Sequence, residues 1–527
     1  MKKDKSRTKH CVLSWSILVA LLLNLTVLLS VFSRLKEKQL FGGFSAAAKP
    51  HQDLGGEEEE TKDLLGGLLP PGFEEGSCQS RHGSVHYLMR RLKRPPSPHL
   101  LSKLRSYESL HRRCGPHTES YNRTVKLIES SSAPTECRYV LWSPFAGLGN
   151  RMLTMASAFL YSLLTNRVLI VDFRDHTPDL FCDPFPGTSW FLPRDFPLVH
   201  YLGVLNKSSS HCHGYMVKNH LTKKSSRIPP FVYLNLIYDM DRYDETFFLE
   251  GQEQTFLNKV PWLFMSSDEY FIPSLFMMQS FSEELGNMFP DKDAVFHLLG
   301  RYLFHPTDLV WGMITRYHRA YLAGADEKIG IQIREFEGWL KPQQHILNQI
   351  MACISTGNIL PRINEDDYLP DGSNARDQKN KTKVVLVTSL VSGYADRIRL
   401  MYTLYPTETG EVVRVHEPSQ EEHQKMSDLL HYMRALAEIY LIGMSDTLVT
   451  SGRSTFGYVA QGLGGLKPWV MYRPKNQTTA PDPPCGRVGS MEPCFHLPPT
   501  HVTMAHVPYV RPCEDEVNGL KLYKDTT

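Results

Sequence analysis

From residue 138 onward, short apolar runs alternate with longer stretches whose apolar positions recur at helical spacing. Arg138 to Trp142 predicts a strand, and the turn Ser143 to Asn150 leads into one apolar helical stripe: Met152, Met155, Ala156, Phe159, Leu160, Leu163 and Leu164 fall at i, i+3, i+4, i+7, i+8, i+11 and i+12. Val168 to Phe173 reads as the next strand. Further strands are expected at Phe231 to Ile237, Pro261 to Met265, Ile329 to Ile333, Val384 to Val387, Glu411 to Val415, Thr447 to Thr450 and Pro468 to Tyr472. Helices are expected near Ser274 to Leu285, Asp308 to Leu322, Gln343 to Ile354, Tyr394 to Tyr402, Glu421 to Ile442 and Phe456 to Leu463. Strands alternating with helices specify parallel sheets. Helical sequence around residues 290–325 separates two such series. The expected fold class is therefore α/β, with two Rossmann-like domains, 81–320 and 321–527, facing each other across a cleft.

The N-terminus has a different pattern. Cys11 to Phe32 is a mostly apolar run preceded by Lys2, Lys3, Lys5, Arg7 and Lys9 and followed only by Arg34, Lys36 and Lys38. A run of that length crosses a bilayer as one helix, and the heavier basic flank stays cytosolic. The expectation is a single-pass type II membrane protein with a cytosolic tail (1–10), a signal anchor (11–32) and a stem (33–80) rich in Gly, Glu and Pro. Sequons at Asn122, Asn206, Asn380 and Asn476 agree with a lumenal catalytic portion. Nine cysteines lie beyond the anchor, so disulfides are expected in that compartment. Their odd number leaves at least one thiol over, which permits a linked homodimer, and the connectivity cannot be read from sequence.

Composition narrows the function. The chain has 527 residues, 58 Lys+Arg against 56 Asp+Glu, and 42% hydrophobic residues. A near-neutral balance of ordinary apolar content excludes a dedicated nucleic-acid binder, a polytopic membrane protein and a disordered or fibrous chain. The locally basic segment Met89 to Arg113 reads as a solvated helical face.

Chemistry belongs at the carboxyl ends of the parallel strands. Ala146-Gly147-Leu148-Gly149-Asn150-Arg151 sits between strand and helix, where backbone amides and a positive helix end meet an anion. It is not a dinucleotide fingerprint, because Met152 stands where the third glycine belongs. Arg334 ends the strand Ile329 to Ile333, well placed to take phosphate oxygens in bidentate fashion. Thr450-Ser451-Gly452-Arg453-Ser454-Thr455-Phe456-Gly457 makes a second strand-turn-helix cradle and lacks the spacing of a hydrolase nucleophile elbow. Two anion cradles and a strand-end arginine point to a nucleotide sugar whose diphosphate is neutralised by protein and not by metal.

The strings SPFAGLGNRMLTMASAFLYSLLTNRVLIVDF (143–173), YFIPSLF (270–276), RYLFHPTDLVWG (301–312), IGIQIREFEG (329–338), LVTSL (386–390), VTSGRSTFGYVAQGLGGLKPW (449–469) and SMEPCFH (490–496) resemble the plant xyloglucan-type fucosyltransferase family. The resemblance runs from about residue 85 to the end. It implies a Golgi membrane enzyme of GT-B-like fold that moves L-fucose from GDP-fucose, with inversion and without an essential metal, to the 2-hydroxyl of a terminal galactose on a cell-wall glycan. Xyloglucan galactose and arabinogalactan-protein arabinose are the acceptors left open, with specificity expected in loops such as Leu205 to Pro230 or Arg362 to Lys379. The resemblance further implies that Arg334 binds the GDP diphosphate. The Gly147 to Arg151 turn (Gly147, Gly149, Asn150, Arg151), the loop from His416 to Ser419 and the turn of Ser451, Ser454, Thr455 and Phe456 would complete the donor site.

Removing the acceptor proton calls for a base, and Asp268, just beyond Pro261 to Met265, is the expected one, with Glu269 its rival. Tyr270, Phe271 and Trp311 are offered as sugar-stacking rings. Two other readings compete: a metal-dependent GT-A type transferase using Asp239-Met240-Asp241 or Asp291-Lys292-Asp293, and a non-catalytic glycan-binding scaffold. A zinc site at His211-Cys212-His213 lacks partners of suitable spacing.

Overall fold

The computed structural model describes residues 65–525 except 74–75, 89–93, 131–135, 225–227, 336–342, 365–380, 420, 474–478 and 500–506. The tail, the anchor, most of the stem, the sequons at Asn380 and Asn476, and nearly all of the Arg362 to Lys379 loop lie outside these residues. No helix among the described residues is long and apolar enough to cross a membrane.

All nine predicted strands form, within two residues at each end. β1 (Tyr139–Ser143) leads through the first glycine turn to α1 (Leu148–Thr165), followed by β2 (Val168–Val171), β3 (Phe231–Leu236) and β4 (Trp262–Ser267). These four strands make one sheet in the order β2-β1-β4-β3, parallel throughout. After α2 (Val295–Leu303) and α3 (Asp308–Tyr317) come β5 (Glu327–Ile333), α4 (Gln344–Thr356), β6 (Thr382–Ser389), α5 (Tyr394–Leu404), β7 (Val412–His416), α6 (Leu429–Gly443), β8 (Thr447–Ser451), α7 (Thr455–Gly464), β9 (Trp469–Met471) and β10 (Cys485–Arg487). The second sheet runs β10-β9-β8-β5-β6-β7, parallel except for the antiparallel edge strand β10.

Both faces of each sheet are covered, which is why the strands read as near-continuous apolar runs. In β1, Val140 and Trp142 enter a core shared with α1, α2, α6 and α7, while Tyr139 and Leu141 pack the opposite face with Trp262 and Phe264. In β6, Val384 and Leu386 join the shared core, and Val385 and Val387 face the cluster under α4 and α5 with Ile329, Ile331 and Ile333.

Three features depart from expectation. The helix expected from Glu421 begins only at Leu429, where the Asp428 side chain accepts the His431 amide at 2.9 Å and caps it. The helix expected over Ser274 to Leu285 is two pieces, Ile272–Leu275 and Gln279–Met288. Packed chain also begins before residue 81, since Leu65 and Leu68 are buried in the shared core. At the other end, the chain beyond Ser490 returns to the first half: Glu492 accepts from the Phe296 amide (2.8 Å) and the Tyr270 hydroxyl (2.6 Å), and β11 (Val510–Pro512) pairs with β12 (Leu520–Leu522) against that core.

Four disulfides form: Cys78–Cys182, Cys114–Cys137, Cys353–Cys485 and Cys494–Cys513. The leftover thiol among the described residues is Cys212, fully buried, so it offers no attachment point for the linked dimer that the cysteine count permitted. The sequon residues Asn122 and Asn206 are exposed.

Candidate active site

A cavity of about 570 Å³ opens where the carboxyl ends of both sheets meet. The first sheet contributes Ala146 to Asn150, the turn between β1 and α1. The second contributes Gln332 to Arg334 at the end of β5, Thr388 to Leu390 at the end of β6, Ser419 beyond β7 and Arg453 to Phe456 beyond β8. His431 and Tyr432 of α6, Arg473 and His496 complete the wall.

Backbone geometry shapes both cradles. Ala146 and Arg453 each hold a left-handed conformation with φ of 60°, a strained choice for a residue with a side chain that turns the chain sharply into a helix. Gly147 gives α1 no side-chain cap, so its first amides keep their donors for the cavity. The two helix starts touch. A Cβ on Gly149 would stand 2.7 Å from the Thr455 carbonyl carbon and 2.8 Å from the Phe456 nitrogen. Asn150 then ties the starts together: its Oδ1 accepts from the Thr455 hydroxyl and its Nδ2 donates to the Asp268 carbonyl, both at 2.9 Å. Gly149→Ala is expected to wedge these backbones apart, lowering Tm by several degrees and weakening nucleotide binding together; thermal melts with and without GDP read both effects.

The electrostatics favour an anion. Arg334, Arg453 and Arg473 bring three guanidiniums to one cavity, Arg453 also pairing with Glu516 at 2.8 Å. Burial presses the Arg334 guanidinium toward its neutral form, a cost that a bound anion relieves. Its backbone amide donates to Ser451 Oγ at 2.9 Å, which joins the ends of β5 and β8. The two acids in the wall do little to oppose these cations. Burial works to raise the Glu421 carboxyl, but bonds from Arg434, Lys425 and His431 outweigh it and hold it at about 2, paired. Burial pushes Glu438 up to about 8, where it is neutral, and Ser419 donates to it. On the cavity floor, Gln332 Oε1 and Thr388 Oγ1 are buried without a hydrogen-bond partner, as expected of groups that meet a polar ligand.

The expected residues thus divide. Gly147, Gly149, Asn150, Arg334, Ser419, Ser454, Thr455 and Phe456 line the cavity, Ser454 also capping α7 through the Gly457 amide. Arg151, Ser451, His416 and Asp268 do not. Arg151 is buried and committed to the Ala146 carbonyl (2.8 Å), the Tyr432 hydroxyl (3.1 Å) and the Asp175 carboxylate (3.3 Å), so it holds the turn. Ser451 is spent on the Arg334 backbone, and His416 packs on Tyr321 with ring centroids 5.0 Å apart. Asp268 reaches the wall only through its carbonyl. Burial raises its carboxyl to about 6, and its Oδ1 is buried without a partner. Glu269 is more deeply buried and rises to about 8, first through burial and then through Asp268, while its carboxylate accepts from the His496 amide at 3.1 Å. It carries its proton at neutral pH, which makes it the poorer base.

Tyr270, Phe271 and Trp311 are buried core residues, not sugar platforms. Both Asp-x-Asp pairs are committed elsewhere: Asp239 to Lys207 (3.0 Å) and Asn235 (3.1 Å), Asp241 to the Tyr243 amide (2.8 Å), Asp293 to Arg94 and Lys467, and Asp291 to Lys524. At the suspected zinc triplet, His211 stacks on Phe231, His213 meets Glu253, and Cys212 lies against Asp244.

Sequence reasoning missed Arg473 and His496, and placed Arg453 in the serine turn without giving its side chain a role. The two arginines carried the signal that marked Arg334, a cation just past a strand. His496 had none, since its place depends on the Tyr458 hydroxyl, 3.1 Å away, which in turn donates to Asp515 at 2.6 Å.

Comparison with known proteins agrees with this geometry. The family model described as xyloglucan fucosyltransferase matches residues 35–503. The galactoside 2-alpha-L-fucosyltransferase of Arabidopsis thaliana is 52% identical over 471 residues, covering 87% of this chain and 83% of its own. That of Pisum sativum is 51% identical over 487 residues, covering 90% and 85%. The solved structure of an Arabidopsis thaliana FUT1 mutant in complex with GDP superposes with a TM-score of 0.81 at 51% identity, covering 87% of this chain and all of that one.

Proposed function

This chain belongs to the xyloglucan fucosyltransferase family and is a fucosyltransferase, and on that premise we propose that it moves L-fucose from GDP-fucose to the 2-hydroxyl of a terminal galactose, or of an arabinose, on a cell-wall glycan. The observation that carries the donor reading is the convergence of Arg334, Arg453, Arg473 and two helix starts on one cavity. Those groups would grip the diphosphate and stabilise the charge that builds on it as the fucose C1–O bond breaks. The acceptor oxygen forms the new C1–O bond from the opposite face, its proton passes to Asp268, and GDP leaves, which inverts C1. The reaction runs without metal, because arginines occupy the role a divalent cation would fill and the Asp-x-Asp pairs are bound to other side chains. The enzyme works in the Golgi lumen, held by an anchor at 11–32.

Purified full chain in detergent, given labelled GDP-fucose, excess EDTA and a panel holding unfucosylated xyloglucan and arabinogalactan protein, is expected to label one polymer at an undiminished rate. Loss of transfer in EDTA and its recovery with Mn would overturn the metal-free mechanism. No label in any polymer while GDP still binds would mean that the acceptor is another glycan, and a folded chain that binds no GDP would overturn the donor site.

A further inference from the structure

In the sheet order β2-β1-β4-β3, the strands flanking β4 are β1 and β3. The chain leaving β1 carries Phe145, the chain leaving β3 carries Tyr238, and β4 itself leads to Asp268. The two flanking loops meet through their rings on the same sheet end. Phe145 and Tyr238 stack with ring centroids 6.3 Å apart and 29° between planes, and the Tyr238 backbone lies close enough to the Asp268 carboxyl to work against the rise that burial causes there. Tyr238 is 67% exposed, although every other aromatic raised as a sugar platform is buried. Phe145 is followed directly by Ala146, which lines the donor cavity. An aromatic pair therefore sits at the sheet end that carries both Ala146 of the donor cavity and Asp268, whose Oδ1 is buried without a partner.

We propose that Phe145 and Tyr238 form the acceptor platform, on which the apolar face of a terminal neutral hexopyranose stacks so that its hydroxyl points at Asp268. This rests on the fucosyl-transfer reading and names the part of the site that takes the acceptor. An exposed ring offers a sugar the CH-rich side of the pyranose as stacking partner and buries apolar surface from both. Charge agrees: next to the platform Asp239 is neutralised by Lys207 at 3.0 Å, which leaves a surface suited to an uncharged sugar.

The test is calorimetric binding of a galactose-terminated xyloglucan oligosaccharide to the GDP-loaded full chain and to Tyr238→Ala, Tyr238→Trp and Phe145→Ala, with GDP affinity measured on each. Tyr238→Ala is expected to weaken oligosaccharide binding about ten-fold, Phe145→Ala to weaken it less, and Tyr238→Trp to restore it, all with GDP affinity intact. Equal glycan affinity in wild type and Tyr238→Ala overturns the platform, as does parallel loss of GDP affinity or a wild type that binds no oligosaccharide. Glycan binding that depends on Tyr238 in a wild-type protein transferring no fucose would support the platform and defeat the fucosyl-transfer reading.

Discussion

Arg334→Ala is expected to lower kcat/KM by roughly 10²–10³ and to weaken GDP binding while leaving the far-UV spectrum and the melting transition close to wild type. The fold tolerates the loss because the residue's link between β5 and β8 runs through its backbone amide, which alanine keeps. What disappears is the guanidinium at the strand end, whose planar fork can meet two diphosphate oxygens at once. Burial works against that charge, so removing it is expected to cost ligand binding more than the fold. Arg334→Lys restores the charge without the fork and is expected to recover only a minor part of the activity. Steady-state kinetics and GDP titration on the three proteins decide it; unchanged transfer in the alanine variant would place the diphosphate elsewhere.

Asp268→Asn is expected to cost about 10²–10⁴ in kcat with GDP binding unaltered, the range over which a positioned base acts. Burial has raised the folded carboxyl to about 6, so the base is ionised at neutral pH and protonates as the medium is acidified. Wild-type kcat/KM should therefore be half-maximal near pH 6, flat from about pH 7 and falling below, and the fall should be absent from the residual activity of Asp268→Asn. Stability runs the other way. A carboxyl whose folded value lies above its unfolded one costs stability as pH rises from the unfolded value to the folded one and carries the full penalty above about 6, so the asparagine variant should melt no lower than wild type at pH 7. Wild-type rates in the variant would mean that water or the departing diphosphate takes the proton.

The strands were legible because parallel strands buried on both faces must be apolar along their whole length, as in Ile329-Gly330-Ile331 and Val384-Val385-Leu386-Val387. The glycine turn, the serine turn and Arg334 were legible for a related reason, since each follows such a strand. Local rules misled where a cap or a partner decides. Glu421 continues a helical pattern, yet Arg434, Lys425 and His431 bind its carboxylate and Asp428 starts the helix later. Reach along the chain set the other limit. Nothing near Cys353 announces Cys485, 132 residues away, and nothing near Phe145 announces Tyr238, because only the sheet order makes them neighbours.

That Gly149 lies against Thr455 and Phe456 has one more consequence. Two helix macrodipoles meet there by their positive ends, and like poles in contact repel. The side chains of Asn150 and Thr455 hold them together, but a hydrogen bond between neutral groups removes none of that repulsion. A diphosphate does, and it does so for both helices at once. On the proposed donor site the nucleotide would act as a counterion to the fold itself: it would join the first sheet to the second and stabilise the protein through mass-action linkage, by about 2.7 kcal/mol at a hundred-fold excess over Kd.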